Sequence, residues 1–136
     1  DTSFNLLSGD NICLKFLPSI TKSVNDYLTK FSLLKEEKLL IYDTKVKKIP
    51  IGGGFHKWHY ENSGLEVSHR KLVVQVYLNT IEEGGETEFH CFNGEKIKPK
   101  AGRMCMFPPM WTHLHSGNAV MGTEPKYIIG SYLHYV

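Results

Sequence analysis

The hydrophobic pattern of this chain changes period once. Ile20, Val24, Tyr27, Leu28 and Phe31 fall on one stripe of an amphipathic helix. Pro18 and Ser19 precede that stripe, and proline suits a first helical turn because its missing N–H costs little there. The spacing therefore predicts a helix opening at Pro18. Residues 1–17 scatter Phe4, Leu6, Leu7, Ile12, Leu14, Phe16 and Leu17 around a Ser8-Gly9-Asp10-Asn11 turn signal, which reads as two short extended pieces. From Leu39 onward β-branched and aromatic residues recur, and strands are predicted at 39–49, 55–61, 71–79, 86–92, 95–98, 103–107, 111–115 and 126–134.

Turn chemistry separates these runs. Asn93-Gly94 between two short apolar stretches is a strong hairpin signal. Leu72, Val74, Val76 and Leu78 alternate with Val73, Gln75 and Tyr77, so this strand is apolar on nearly both faces and belongs in an inner sheet. One helix followed by many short strands predicts an α+β, mainly β protein. Its strands should form a two-sheet sandwich or jelly roll with the N-terminal helix packed outside. In the run 55–61 alternation sets Trp58 opposite His59 and Glu61, toward the helix.

That same alternation carries the candidate chemistry. His59 and Glu61 project from one face two residues apart, and an imidazole with a carboxylate so placed supplies two of three ligands of a 2-His-1-carboxylate iron site. The second histidine has two candidates, His113 and His115, again two apart and facing one way. Only one is required; the other would sit beside it as an outer donor or substrate contact. Lys126 opens the apolar strand that follows and is by default a solvated strand end. An acidic co-substrate chelating the metal at one end would need such a cation at the other. Tyr77 is by default a packed core tyrosine whose hydroxyl could bond the same carboxylate, and Thr87 a β-former after a turn. His56, His69, His90 and His134 read as surface or satisfied residues, and Trp111 and Tyr132 as sandwich aromatics that could line the pocket.

Composition narrows the class without changing it. A length of 136 residues fits one domain with a core of its own. A formal charge of +2 gives no case for nucleic acid, and no apolar run is long enough to span a bilayer. The cluster Lys45-Val46-Lys47-Lys48 reads as a solvated strand edge. Cys13, Cys91 and Cys105 are odd in number and form no C-x-x-C pair, which favours a reducing, cytoplasmic compartment. No signal-peptide pattern opens the sequence, and the start at Asp1 suggests a trimmed chain or one domain of a longer protein.

Taken in order, Trp58-His59-Tyr60-Glu61, Arg70, Tyr77-Leu78-Asn79, Gly84-Gly85-Glu86-Thr87-Glu88-Phe89, Pro99, Gly102, Phe107-Pro108, His115-Ser116-Gly117 and Lys126-Tyr127-Ile128-Ile129 resemble the iron(II)/2-oxoglutarate-dependent oxygenases. Within that family the likeness is to the prolyl 4-hydroxylase-like group, over roughly residues 50–134. The resemblance implies a double-stranded β-helix, cupin-like, spanning residues 51–136 on a support made by residues 1–50, all within one domain. It implies iron held by His59, Glu61 and His115, the last chosen over His113 because Ser116-Gly117 follows it. It further implies 2-oxoglutarate bound by Lys126 with Tyr77 and Thr87, and ascorbate as a reductant. The activity implied is hydroxylation of a substrate C–H bond by molecular oxygen, with 2-oxoglutarate converted to succinate and carbon dioxide. The substrate would be a peptidyl proline or, alternatively, a free amino acid or other small molecule. Oligomeric state is open. Glu61 departs from the aspartate usual in the family, and Ile49 lies near a position where many members carry a tyrosine. A non-catalytic jelly-roll module, or a cupin-like metal protein, has no need of Lys126 with Tyr77, so that lysine discriminates the readings.

Overall fold

The computed structural model describes residues 2–5 and 10–136, with only the backbone path at 2, 4 and 5. The elements in order are β1 (Thr2–Asn5), α1 (Asn11–Lys30), α2 (Ser32–Lys35), β2 (Leu39–Ile49), β3 (Arg70–Tyr77), β4 (Thr87–Phe89), β5 (Lys96–Ile97), β6 (Met104–Phe107), β7 (His115–Gly117) and β8 (Lys126–Tyr135). Single 3-10 turns occur at Leu65–Val67 and Trp111–His113. Every strand pairing is antiparallel. A five-stranded sheet runs β1-β2-β8-β3-β6 and a three-stranded sheet runs β5-β4-β7. The result is the expected mainly β, double-stranded β-helix with a helix on its outer face.

The two faces of β3 show how the layers are built. Leu72, Val74 and Val76 pack outward with Val46, Ile129 and Leu133 against Ile20 and Val24 of α1. Burying each of those helical side chains contributes roughly 2 kcal/mol. Val73 and Tyr77 face inward, Val73 meeting Phe89 and Phe107, Tyr77 meeting Ile49, Ile81, Val120 and Ile128. The Asn93-Gly94 turn is present: both residues adopt left-handed backbone (φ 54° and 70°), the twist a tight hairpin turn requires.

Several expectations give way. The helix begins at Asn11, after an extended Asp10, and Pro18 lies inside it. Phe16 and Leu17 stay exposed, and the helix is held from beyond Pro18, where Ile20 and Val24 are buried, which offsets the hydrogen bond that Pro18 cannot make. Of the two extended pieces expected before it, only β1 forms; Leu6, Leu7, Ser8 and Gly9 lie outside the described residues. Residues 55–61 form no strand but a loop anchored at single points, and 111–115 begins as a 3-10 turn. Lys45–Lys48 is no sheet edge, because β2 is an interior strand between β1 and β8. Among the described residues no helix is long and apolar enough to cross a membrane.

Candidate active site

His59 and Glu61 sit on the loop between β2 and β3, and its glycines decide where it runs. A Cβ at Gly54 would stand 2.7 Å from the Gly117 carbonyl oxygen, so only glycine lets the loop lie this close to β7. Paired bonds then lock His59 to His115: His59 N–H to the His115 carbonyl at 3.1 Å, and the reverse at 3.0 Å. The Glu61 N–H donates to the Pro109 carbonyl at 2.9 Å. Alternation along a strand was therefore the wrong account of the same outcome. One isolated bridge and a hydrogen bond to Pro109, not a continuous ladder, bring His59 and Glu61 to His115.

Both imidazoles are held in one tautomer. His59 Nδ1 donates to the Lys57 carbonyl and His115 Nδ1 to the His113 carbonyl, each at 2.9 Å. A carbonyl can only accept, so Nδ1 carries the proton and Nε2 presents a lone pair. The two Nε2 atoms lie 3.1 and 3.2 Å from the same Glu61 Oε1. Ligand atoms of the three residues all fall within 4.8 Å of one another, a grouping that could hold a metal ion. Lone pairs from two neutral imidazoles and a carboxylate aimed at one point repel unless a cation lies between them, so this donor set fits a divalent metal.

The other Glu61 oxygen is gripped from behind. Tyr132 Oη donates to Oε2 at 2.8 Å, and Arg70 Nη1 stands 3.5 Å from it while donating to the Glu61 carbonyl at 2.9 Å. Arg70 stacks on the Tyr132 ring, 3.7 Å from its centroid, and pairs with Asp43 at 3.0 Å. Asp43 reaches it because β2 bulges there, with Asp43 in left-handed backbone (φ 54°). Burial opposes ionisation of Glu61; without a metal each Nε2 can take a proton and donate to Oε1, and these bonds from His115 and His59, with that from Tyr132, outweigh burial and hold the carboxyl well below its usual range. Tyr132 was read as a core aromatic that could line the pocket; it is bound directly to the carboxylate.

A cavity of about 210 Å³ opens beside this cluster, lined among others by His59, Glu61, His115, Thr87, Gln75, Lys47, Ile49 and Lys126. Lys126 is 4 % exposed, and its ammonium donates to the Gly85 carbonyl at 2.7 Å. Burial pulls its pKa down to about 8, with the nearby Glu86 charge resisting and Lys47 assisting. Thr87 reaches the cavity but Tyr77 does not: its ring is fully buried and its hydroxyl meets Thr87 Oγ1 at 2.7 Å. Burial pushes the Tyr77 phenol up to about 12, so it remains a donor. Gln75 Nε2 also donates to Thr87 Oγ1, at 3.1 Å. Either hydroxyl of the Tyr77–Thr87 pair can donate; when Tyr77 does, the Thr87 hydroxyl is left to donate its own hydrogen into the cavity. Gln75 and Lys47 were missed by sequence reasoning, although a glutamine inside the run Val73–Tyr77 was a visible signal.

The remaining candidates go elsewhere. His113 contributes its carbonyl, while its ring packs 5.0 Å from Phe92. Trp58 is half-exposed and meets His90 edge-on, not the helix. His56, His69 and His90 are exposed. His134 is neither exposed nor satisfied: it is buried, with Nε2 lacking a partner among the described residues.

Fold and site together have the layout of a double-stranded β-helix metalloenzyme. The chain belongs to the 2OG-Fe(II) oxygenase superfamily, whose sequence model matches residues 44–134. It is accordingly an iron(II)- and 2-oxoglutarate-dependent dioxygenase. No curated protein matches it. Among solved structures it is similar to a viral collagen prolyl hydroxylase from Paramecium Bursaria Chlorella virus-1, at 24 % identity and TM-score 0.77 over 98 % of this chain and 78 % of that one. A Pseudomonas putida prolyl-4-hydroxylase gives 15 % and 0.74, covering 98 % and 71 %. A Trichoplax adhaerens prolyl hydroxylase, solved with a hypoxia inducible factor peptide fragment, gives 20 % and 0.77, covering 98 % and 62 %. At these identities the likeness establishes the fold.

Proposed function

We propose that this chain hydroxylates a prolyl residue of a peptide, with His59, Glu61 and His115 holding iron(II), and Lys126 and Thr87 holding the far carboxylate of 2-oxoglutarate. The observation that carries the site assignment is a buried ammonium in the same cavity as the converging donors. A structural metal site has no use for Lys126, whereas a metal-chelating dicarboxylate does.

The chemistry that iron(II) supplies when bound is oxidation of a C–H bond by dioxygen, coupled to conversion of 2-oxoglutarate into succinate and carbon dioxide. The protein does the rest by placement. The Lys57 and His113 carbonyls hold both imidazoles with Nε2 turned inward. Tyr132 and Arg70 hold one Glu61 oxygen, so the other meets the metal. Tyr77 and Gln75 fix Thr87 as a donor. Lys126 supplies the charge that selects an acid with a second carboxylate.

The aromatic surroundings support a peptide substrate. Phe55 and Trp58 lie exposed in the loop that carries His59, the Phe55 ring 4.2 Å from the His59 ring, and Trp111 lies exposed in the turn before His115. Exposed aromatic faces suit proline-rich extended segments. The similar solved structures include prolyl hydroxylases, one with a peptide bound. All 136 residues act as one oxygenase domain in this reading, and the free thiols at Cys13, Cys91 and Cys105 suit a reducing, cytoplasmic setting.

The test is anaerobic addition of iron(II) and 2-oxoglutarate, read by the visible charge-transfer band of the chelate. Succinate release with ascorbate, proline-rich peptides and free amino acids follows, with hydroxyproline read by mass spectrometry. Hydroxyproline formation is expected; turnover confined to free amino acids would replace the peptide reading, and no band would remove the site assignment.

A further inference from the structure

Lys47 is a charged side chain on the cavity wall that nothing above employs. It stands on β2 opposite Ile128 of β8, while Lys126 stands opposite Ile49, so the two lysines are diagonal neighbours on the same sheet face. Among the described residues no carboxylate or carbonyl takes a hydrogen bond from its ammonium. Its charge is nonetheless felt at Lys126, where it adds to the effect of burial. Two like charges thus converge on one cavity; Glu86 acts on Lys126 from outside it, and among the described residues the only acid lining it is Glu61, already engaged by two imidazoles, Tyr132 and Arg70. Such a pair is repulsive until an anion arrives.

Along β8 the order of inward positions is Lys126, Ile128, Gly130, Tyr132, with Tyr132 on Glu61 and Lys126 at the far end. Lys47, at the level of Ile128, is one position nearer the metal ligands than Lys126. A five-carbon dicarboxylate chelating at the Tyr132 end would bring its far carboxylate toward both ammonium groups. Ile49, between Lys47 and the strand end, offers that carboxylate no hydrogen bond.

We propose that Lys47 is a second cation for the far carboxylate of 2-oxoglutarate, acting together with Lys126. This rests on the oxygenase reading of the cavity. Lys47 thereby helps set the selectivity for a dicarboxylate over a 2-oxo acid with a single carboxylate.

The test is calorimetry of manganese-loaded wild type, Lys47→Met, Lys47→Arg and Lys126→Met with 2-oxoglutarate and with 2-oxopentanoate, which lacks the far carboxylate. Methionine keeps most of the lysine stem, so packing is retained. Lys47→Met is expected to weaken 2-oxoglutarate binding at least about tenfold. Its effect on 2-oxopentanoate and manganese should be much smaller, no more than the loss of a nearby charge acting on His59, and Lys47→Arg should restore most of the loss on 2-oxoglutarate. Equal losses on both acids, or no loss on 2-oxoglutarate while Lys126→Met weakens it, would overturn the assignment and leave the oxygenase reading standing. Failure of the wild type to bind 2-oxoglutarate would overturn both.

Discussion

The sharpest consequence of the structure concerns Lys126→Met. Methionine matches the lysine stem in length and removes the charge. In the ligand-free protein the ammonium is 4 % exposed, and its pKa falls from 10.5 to about 8 because burial disfavours the charged form. That fall converts to roughly 3 kcal/mol of destabilisation at neutral pH. Its sign follows from proton binding. The folded lysine sheds its proton near pH 8 while the unfolded one keeps it to 10.5, so the unfolded chain binds more protons in between and wild-type stability rises across that window. Below pH 8 the penalty is present in full; above 10.5 it is gone. Lys126→Met is therefore expected to stabilise the ligand-free protein at pH 7, by up to roughly 3 kcal/mol in urea unfolding, with the gain shrinking steadily above pH 8.

The same substitution is expected to weaken 2-oxoglutarate binding by about 30-fold or more, because a charge-assisted hydrogen bond from a buried side chain is lost. In the wild type, binding should take up a proton near pH 8–9, visible as a dependence of calorimetric heat on the buffer's ionisation enthalpy. A variant less stable than wild type at pH 7, with 2-oxoglutarate affinity intact, would refute the reasoning: Lys126 would then be a packing residue.

His115→Ala is expected to abolish metal binding in equilibrium dialysis, whereas His113→Ala should change it little, since a carbonyl survives the substitution. Tyr132→Phe should lower metal affinity about tenfold, the scale for losing an outer partner of a ligand, without unfolding the protein in circular dichroism. Glu61→Asp withdraws the carboxylate by one methylene from Tyr132 and both imidazoles, and is expected to weaken metal binding rather than improve it. Tyr77→Phe should raise the Kd for 2-oxoglutarate several-fold and leave metal affinity unchanged, because the Thr87 hydroxyl loses the buried partner that orients it.

What was legible in the sequence was whatever depends on local period and on turn chemistry. β2 falls at the predicted 39–49, the inner strand is covered on both faces, and the Asn93-Gly94 turn is where two left-handed residues are needed. The candidate metal donors were legible as residues but not as geometry. His59 and Glu61 were assigned to a strand because alternation is the simplest way to align them, whereas Gly54, the Pro109 carbonyl and the bridge to His115 do the aligning. Contacts between distant segments left no local trace. Nothing around Lys47 distinguishes it from Lys45 or Lys48 until β8 is laid beside β2. The start of α1 was lost for a related reason: Pro18 is a strong local stop, and it is burial of Ile20 and Val24 beyond it against the sheet that carries the helix through.

The pairing of β2 with β8 also fixes the order in which the enzyme can be completed. His59 and Glu61 leave the ribosome long before Lys126, and β8, which carries that lysine, pairs with β2 only across most of the chain's length, a slow, non-local closure. A chain cut before β8 would leave β2 and β3 without the strand that joins them and Glu61 without Tyr132, so the converging donors and Lys126 come into place together, at this last step.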